Sequence, residues 1–368
     1  MGIAMIVVIK VGTSTIASDR GLNGRFLLAF AGALGDIVAR GHRVVVVTSG
    51  AVGAGRWRLS VPRPRTIAEK QAAAAVGQGL LMHAYESLLA PLGVASAQLL
   101  LTRGDLVDRQ RYLNARTTLH ALLTYDPPVV PIVNENDSVA VEELKFGDND
   151  ALSALVAGLV DADWLVMLTD VAGLFDRPPA EPGARIVPEV DEITPAVEAL
   201  AGGSGSDLGT GGMATKLEAA KIATSSGTAV ALLSGANPAA VLDLLEERPV
   251  AGTRFRARGD RLEARRKWLA FGRPVRGTLV LDDGAVGAVL RSGKSLLPAG
   301  ISELAGEFEA GEAVSLRAGD GREVARGVSN YASVDLARIL GKRTVEIEDI
   351  LGFKVADEVV HRNNMVVL

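Results

Sequence analysis

Cysteine is absent from the 368-residue chain, which removes disulfides, thiolate-held zinc and thiol nucleophiles together. Histidine is scarce as well: His42, His83, His120 and His361 are scattered and show no metal-ligand spacing, and no metal-ligand cluster is read from the residues. Aromatic residues make up only 4% of the chain, and the formal net charge is −4. Both argue against a nucleic-acid partner, which needs a basic surface and stacking platforms. No run is long and apolar enough to span a bilayer. The first residues lack the basic start and small-residue cleavage site of a signal peptide. A cytoplasmic chain with no membrane contact is expected.

Ala, Val, Leu and Gly dominate what remains. That balance suits a parallel sheet, whose strands read as continuous aliphatic runs because both faces are covered. The length allows two domains. Up to about residue 248, aliphatic strands such as "MIVVI", "RVVVVTSG", "PPVVPIVNEND", "DWLVMLTD" and "TAVALLSG" alternate with helical segments near 24–40, 67–90, 111–124, 149–161 and from 213. This alternation predicts right-handed crossovers and a three-layer α/β/α sandwich around a mostly parallel sheet. Residues 1–250 are read as that domain and 251–273 as a basic interdomain segment, with seven basic and two acidic residues among 254–267. Residues 274–352, with short strands and Gly-rich turns, are read as a small, mostly β domain, followed by a tail at 353–368.

Ligands bind such sheets beyond the carboxyl ends of the strands. The predicted ends carry Lys10-Val11-Gly12-Thr13, Thr48-Ser49-Gly50-Ala51, Asn134-Glu135-Asn136-Asp137, Thr169-Asp170 and Ser234-Gly235. Small or polar residues converge on one edge. Lys10 and the backbone of Gly12 to Ser14 suit an anionic ligand. "GTGGMA" (209–214) precedes a helical segment whose backbone N–H groups and Lys216 suit phosphate oxygens. "GAVLRSGKS" (287–295) approaches a P-loop but has one residue too many and no helix announced after it.

The stretch from 131 to 159 concentrates Asn134, Glu135, Asn136, Asp137, Asp148, Asn149 and Asp150. Helix capping needs only one or two of these. A cluster of amides and carboxylates suits an α-amino, α-carboxyl ligand, with Ser49, Gly50 and Ala51 supplying close-approaching backbone. Two lysines then have a common explanation. A carboxylate substrate, with an ordinary pKa near ~4, is already ionised and needs no general base to attack a phosphoryl group. What it needs is positive charge, backbone N–H groups and a metal along the transfer line. Lys10 and Lys216 supply the charge, and Asp150 is assigned to hold them in position.

At these residues the chain resembles the glutamate 5-kinases, a branch of the amino acid kinase family that carries a C-terminal PUA domain. The motifs are "VIKVGTS", "VVTSGAVGAGR", "KQAAAAVGQ", "LLTRGD", "YLNARTTL", "PIVNENDSVA", "FGDND", "LTDVAGLF" and "GTGGMATKLEAA", with "LLPAGI", "GEFEAGE" and "ARGVSNYAS" near the C-terminus. The resemblance implies ATP- and Mg2+-dependent phosphorylation of the γ-carboxylate of L-glutamate, the first step of proline biosynthesis. Lys10 and Lys216 match the family's phosphoryl-stabilising lysines, and Asp150 matches their organiser. Ser49, Asp137 and Asn149 match substrate-binding positions, with Asn134 and Asp148 close by. Thr169, Asp170, Thr210, Gly211, Gly212, Met213, Ala214, Thr215 and Lys216 match nucleotide contacts. Feedback inhibition by proline, a homo-oligomer and hand-off to γ-glutamyl phosphate reductase are further expectations of the resemblance. Phe175 departs from the Tyr of many relatives, and 176–186 is unusually Pro-rich. Two other readings of the residues stand beside this one. One is a kinase of aspartate, N-acetylglutamate or carbamate; the other is an RNA-binding PUA protein with a vestigial kinase domain.

Overall fold

Val- and Ile-rich runs, stiff at χ1 and suited to a pleated surface, become strands here. The computed structural model describes residues 4–18, 21–61, 63–139, 149–201, 212–257 and 275–368. The chain divides into two compact units, Met1–Val107 with Tyr112–Arg258, and Gly259–Leu368 with Asp108–Arg111.

The first unit is built on β1 (Ile6–Val11), β2 (Arg43–Val47), β3 (Ala95–Leu101), β4 (Val129–Glu135), β5 (Trp164–Thr169), β6 (Glu189–Val190), β7 (Ala229–Ser234) and β8 (Gly252–Phe255). They join in the order β3-β4-β2-β1-β5-β7-β8-β6. Every neighbouring pair is parallel except β7 with β8. Lys10 pairs in register with Val47 on one side and Met167 on the other. It therefore leaves the sheet at its centre, beside the ends of β2 and β5.

Strand side chains alternate between faces, and both faces are covered. Val8, Val45, Val133, Leu165 and Met167 pack on one side with α5 (Arg109–Leu122), α6 (Asn149–Leu159) and α7 (Met213–Ser225). Val7, Ile9, Val44, Val46, Ile132 and Val166 pack on the other with α2 (Gly24–Ala39), α4 (Ile67–Leu89) and α8 (Ala240–Leu245). The three-layer α/β/α sandwich with a mostly parallel sheet is thus present. The single turn α1 (Thr13–Ile16) follows β1, and α3 (Ala51–Leu59) follows β2. Phe175 bridges to Ile186 across the Pro-rich segment.

Helix starts follow their capping chemistry. Asn23 caps α2 by accepting from the Phe26 N–H. Thr66 and Glu69 form a capping box on α4, each side chain accepting from the other's backbone N–H. Two glycines let α3 and α4 touch backbone to backbone. A Cβ on Gly55 would lie 1.8 Å from the Ala73 carbonyl oxygen, and one on Gly77 would lie 1.7 Å from that of Ala51. This contact fixes the start of α3, where Gly50 and Ala51 sit, against the middle of α4.

The second unit holds β9 (Val275–Leu281), β10 (Ile301–Ala305), β11 (Ala313–Ala318), β12 (Glu323–Val328) and β13 (Met365–Val367). They form a five-stranded sheet in the order β10-β9-β11-β12-β13. Short helices α9 (Asp283–Ser292), α10 (Ser333–Ile339) and α11 (Ile347–Leu351) complete a core that includes Leu279, Leu316, Leu336 and Ile347. A small, mostly β domain was expected, but over 274–352 with a separate tail; residues 353–368 instead supply strand β13 and the core residues Val359 and Val360. The Gly293-Lys294-Ser295 sequence follows helix α9 instead of opening one, so the geometry is not that of a P-loop. Among the described residues, no helix is long and apolar enough to cross a membrane.

The α3–α4 contact makes a stability prediction. Gly77→Ala forces a methyl into the Ala51 carbonyl and is expected to cost about 2–3 kcal/mol by overpacking, a melting point lower by roughly 5 °C or more. Gly79→Ala, two residues along the same helix with open space around its Cα, is expected to be neutral or stabilising. Thermal unfolding followed by circular dichroism distinguishes the two.

Candidate active site

Lys10, next to the last residue of β1, is buried. Its Nζ lies 2.5 Å from Asp150 Oδ1. Asp150 stands in the first turn of α6 and is fully buried. The helix beside it, α7, carries Lys216 in its own first turn, also buried, with Nζ 3.5 Å from Asp150 Oδ2. The Thr215 hydroxyl donates to the same oxygen at 2.9 Å. Two helices that pack side by side thus bring two ammonium groups to one carboxylate at the mouth of the central strand.

Burial alone would raise the Asp150 pKa. The charges of Lys10 and Lys216, with hydrogen bonds from Lys10 and Thr215, outweigh it and hold the carboxyl below its ordinary value. The Lys10–Asp150–Lys216 cluster carries one net positive charge in a buried place. Such a place suits an anion, and a transferring phosphoryl group is one. Gly212 caps α7 without a side-chain bond, so the first-turn N–H groups of Met213, Ala214 and Thr215 are available to phosphate oxygens. Gly12 and Thr13 open the turn beyond Lys10.

The amide cluster lies at the ends of β2 and β4. Asn149, at the start of α6, donates through Nδ2 to the Thr48 carbonyl at 2.8 Å, to Ser49 Oγ at 2.8 Å and to Asn134 Oδ1 at 3.1 Å. Asn134 Nδ2 in turn donates to Gln78 Oε1 on α4 at 2.9 Å. The Thr48 hydroxyl and the Tyr85 phenol lie 3.0 Å apart. Burial pushes the Tyr85 pKa well up, with the Thr48 hydrogen bond opposing, so Tyr85 stays protonated. Gly50 adopts φ +92°, and a Cβ there would strike Ile16 at 2.7 Å; the close approach of this backbone requires glycine. Ala51 is buried at the first position of α3. Asp137 follows β4, with Lys70 of α4 at 3.9 Å. Burial raises the Asp137 pKa and the Lys70 charge opposes that rise.

On the other side of β1, Thr169 ends β5 and its hydroxyl donates to Asp170 at 3.0 Å. A cavity of about 370 Å3 opens here, lined by Ser14, Thr15, Asn23, Thr169, Asp170 and Ser234 among others.

The structure therefore brings Lys10, Asp150 and Lys216 together, and separately joins Ser49, Asn134 and Asn149. Three expected positions, Asp148, Thr210 and Gly211, lie outside the described residues, as does most of the basic stretch. Gln78, Tyr85 and Lys70 were not anticipated as site residues, and Thr48 was read only as a polar strand end. Gln78 had a readable signal: positions 74, 77, 78, 81, 85 and 89 form the buried stripe of α4, and Gln78 interrupts it with an amide. Thr215 was expected at the nucleotide, and its hydroxyl is on Asp150.

The amino acid kinase family model matches residues 5–234, and the PUA domain model matches residues 277–351. The chain belongs to the amino acid kinase family, and it is a phosphotransferase. It is 52% identical over 365 residues to the glutamate 5-kinase of Moorella thermoacetica, covering 98% of this chain and 96% of that protein. It is 47% identical over 365 residues to the glutamate 5-kinase of Geobacter sulfurreducens, covering 98% and 97%. The glutamate 5-kinase of Deinococcus radiodurans is 50% identical over 368 residues, covering 99% and 100%. The resemblance carried by the motifs thus extends over nearly the whole chain.

Asp150→Asn leaves two buried lysines without their counter-charge and is expected to cost about 3–5 kcal/mol at neutral pH. The native carboxyl has a depressed pKa, so its contribution is complete above the unfolded value near ~3.9 and is lost as pH falls through the lower folded value. Urea unfolding of both proteins is expected to show a constant gap from pH 8 to about pH 4 that narrows only below it.

Proposed function

We propose that the chain catalyses ATP-dependent phosphorylation of the γ-carboxylate of L-glutamate, giving γ-glutamyl phosphate and ADP. One observation carries this reading: a buried carboxylate holds two lysines at a strand mouth, beside an amide network able to orient an amino acid. Relatives about 50% identical to the chain carry the name glutamate 5-kinase, which favours glutamate over other acids.

A γ-carboxylate oxygen attacks the γ-phosphorus of ATP as the bond to the β,γ-bridging oxygen breaks. ADP leaves with that electron pair, and no proton needs to move. Lys10 meets the equatorial oxygens as charge develops, and Lys216 serves the nucleotide side of the same group. Asp150 orients both ammonium groups without becoming a base. Gly12, Thr13 and the first turn of α7 offer backbone N–H groups to the phosphates, with Thr169 and Asp170 toward the rest of the nucleotide. Ser49, Gly50, Ala51, Asn134 and Asn149 bind glutamate, and Asp137 faces its ammonium.

Magnesium fits as an ion carried on the phosphates of ATP. The Asp150 carboxylate is committed to the lysines, and Mg2+ characteristically relies on phosphate and water oxygens with few protein ligands. When bound it neutralises charge on the β- and γ-oxygens. We further propose a cytoplasmic homo-oligomer that proline inhibits. The product, a reactive acyl phosphate, passes to γ-glutamyl phosphate reductase. The PUA unit serves regulation or structure, without nucleic acid.

The reading is tested by incubating the protein with ATP, Mg2+ and hydroxylamine and comparing glutamate, aspartate and N-acetylglutamate. Glutamate-dependent hydroxamate is expected; a signal from another acid alone would change the substrate. Lys10→Ala and Lys216→Ala are each expected to lower kcat by about a hundredfold or more, as loss of a transition-state contact does. Unchanged kcat in both overturns the mechanism. Asp137 has a raised pKa, so its carboxylate is lost on acidification sooner than an exposed one. The KM for glutamate is therefore expected to rise on acidification at a higher pH than an exposed aspartate would give, which a pH series of KM measures.

A further inference from the structure

Hydrogen-bond polarity in the amide cluster is fixed from a backbone group outward. The Glu135 N–H donates to Asn134 Oδ1 at 2.9 Å, and a backbone N–H has no alternative orientation in which to accept. Asn134 Oδ1 is therefore the acceptor end, and it receives Asn149 Nδ2 as well. Asn134 Nδ2 must then donate, and it donates to Gln78 Oε1. This leaves each flanking amide with one end committed and one open. Gln78 Nε2 and Asn149 Oδ1 are both buried without a hydrogen-bond partner among the described residues, and Gln78 as a whole is only 9% exposed.

A buried polar atom without a partner is costly, and native structures retain one chiefly where a ligand, ion or water completes it. The two open atoms are complementary in kind: one is a donor, the other an acceptor. An α-amino acid presents the matching pair on a single carbon, a carboxylate to accept and an ammonium to donate. The setting agrees. The Ser49 hydroxyl meets the same Asn149 amide, and Asp137 lies two residues beyond Glu135. The neighbouring Gly77 locks the helix against Ala51, so the amide is held by backbone packing before any ligand arrives.

We propose that Gln78 is a specificity-determining residue. Its Nε2–H donates to the α-carboxylate of the substrate while Asn149 Oδ1 accepts from the α-ammonium. The inference deepens the assignment of glutamate as substrate and rests on it. Discrimination follows from polarity: a site that offers a buried amide donor favours a charged acceptor and rejects a group that brings donors of its own.

Gln78→Glu tests this in the full-length protein. The variant keeps an oxygen for Asn134 Nδ2 and turns the open donor into an anion. Turnover of L-glutamate is compared with that of its α-amide, in which a carboxamide replaces the α-carboxylate, with circular dichroism checking the fold. The variant is expected to lower kcat/KM for glutamate by about a hundredfold, mainly through KM. The α-amide is expected to change by no more than about threefold or to improve, so that the preference ratio shifts by roughly thirtyfold or more. A ratio that stays put overturns the proposal, whether both substrates decline together, neither changes, or glutamate is lost with no relative gain for the α-amide. A wild-type protein that forms no acyl phosphate from glutamate is a different failure, seen before any variant is made: it removes the substrate assignment and this inference with it.

Discussion

One carboxylate between two ammonium groups organises the first unit. Asp150 has no exposed surface, so neither lysine has water as an alternative partner on that side. Removing charges from water is costly, and the attraction between them offsets that cost only when geometry is good. Here three separate segments supply the geometry: the end of β1, the first turn of α6 and the first turn of α7. The sheet must present Lys10 at its centre, and the two helices must lie side by side with their starts level.

The two halves of the site use different physics. Around Lys10 and Lys216 the interactions are charge on charge, strong and tolerant in direction. Around Asn134 they are neutral dipoles whose donor and acceptor ends are fixed relative to one another. Charge suits a group that changes its electron distribution during a reaction. Fixed dipoles suit a part of a ligand that only needs to be recognised.

Much of this was legible in the residues. The central strands β1, β2, β5 and β7 announce themselves as largely aliphatic runs because both faces of the sheet are covered there. The strand ends could then be read for chemistry, and Lys10, Asp150 and Lys216 followed from charge and position. Helix α3 was missed because "AVGAGR" carries two glycines and reads as a loop; tertiary packing on α4, which needs those small residues, overrides the weak propensity. Strand β8 was absorbed into a basic segment because Arg254 alternates with buried Thr253 and Phe255, and a strand of four residues gives little signal. Gln78 showed in the residues only as an amide within the buried stripe of α4. Its meaning depends on which end of a neighbouring amide is committed, and that is decided by a backbone contact far away in sequence.

The contact between α3 and α4 has a consequence for how such a site changes over evolutionary time. With Gly55 against Ala73 and Gly77 against Ala51, the two helices share no slack, and neither moves without the other. A lineage adapting to a longer or bulkier acid cannot widen the pocket by gradual retreat of a helix. Its accessible route is exchange of side chains on an unmoving frame, so new substrate preferences arrive in discrete jumps.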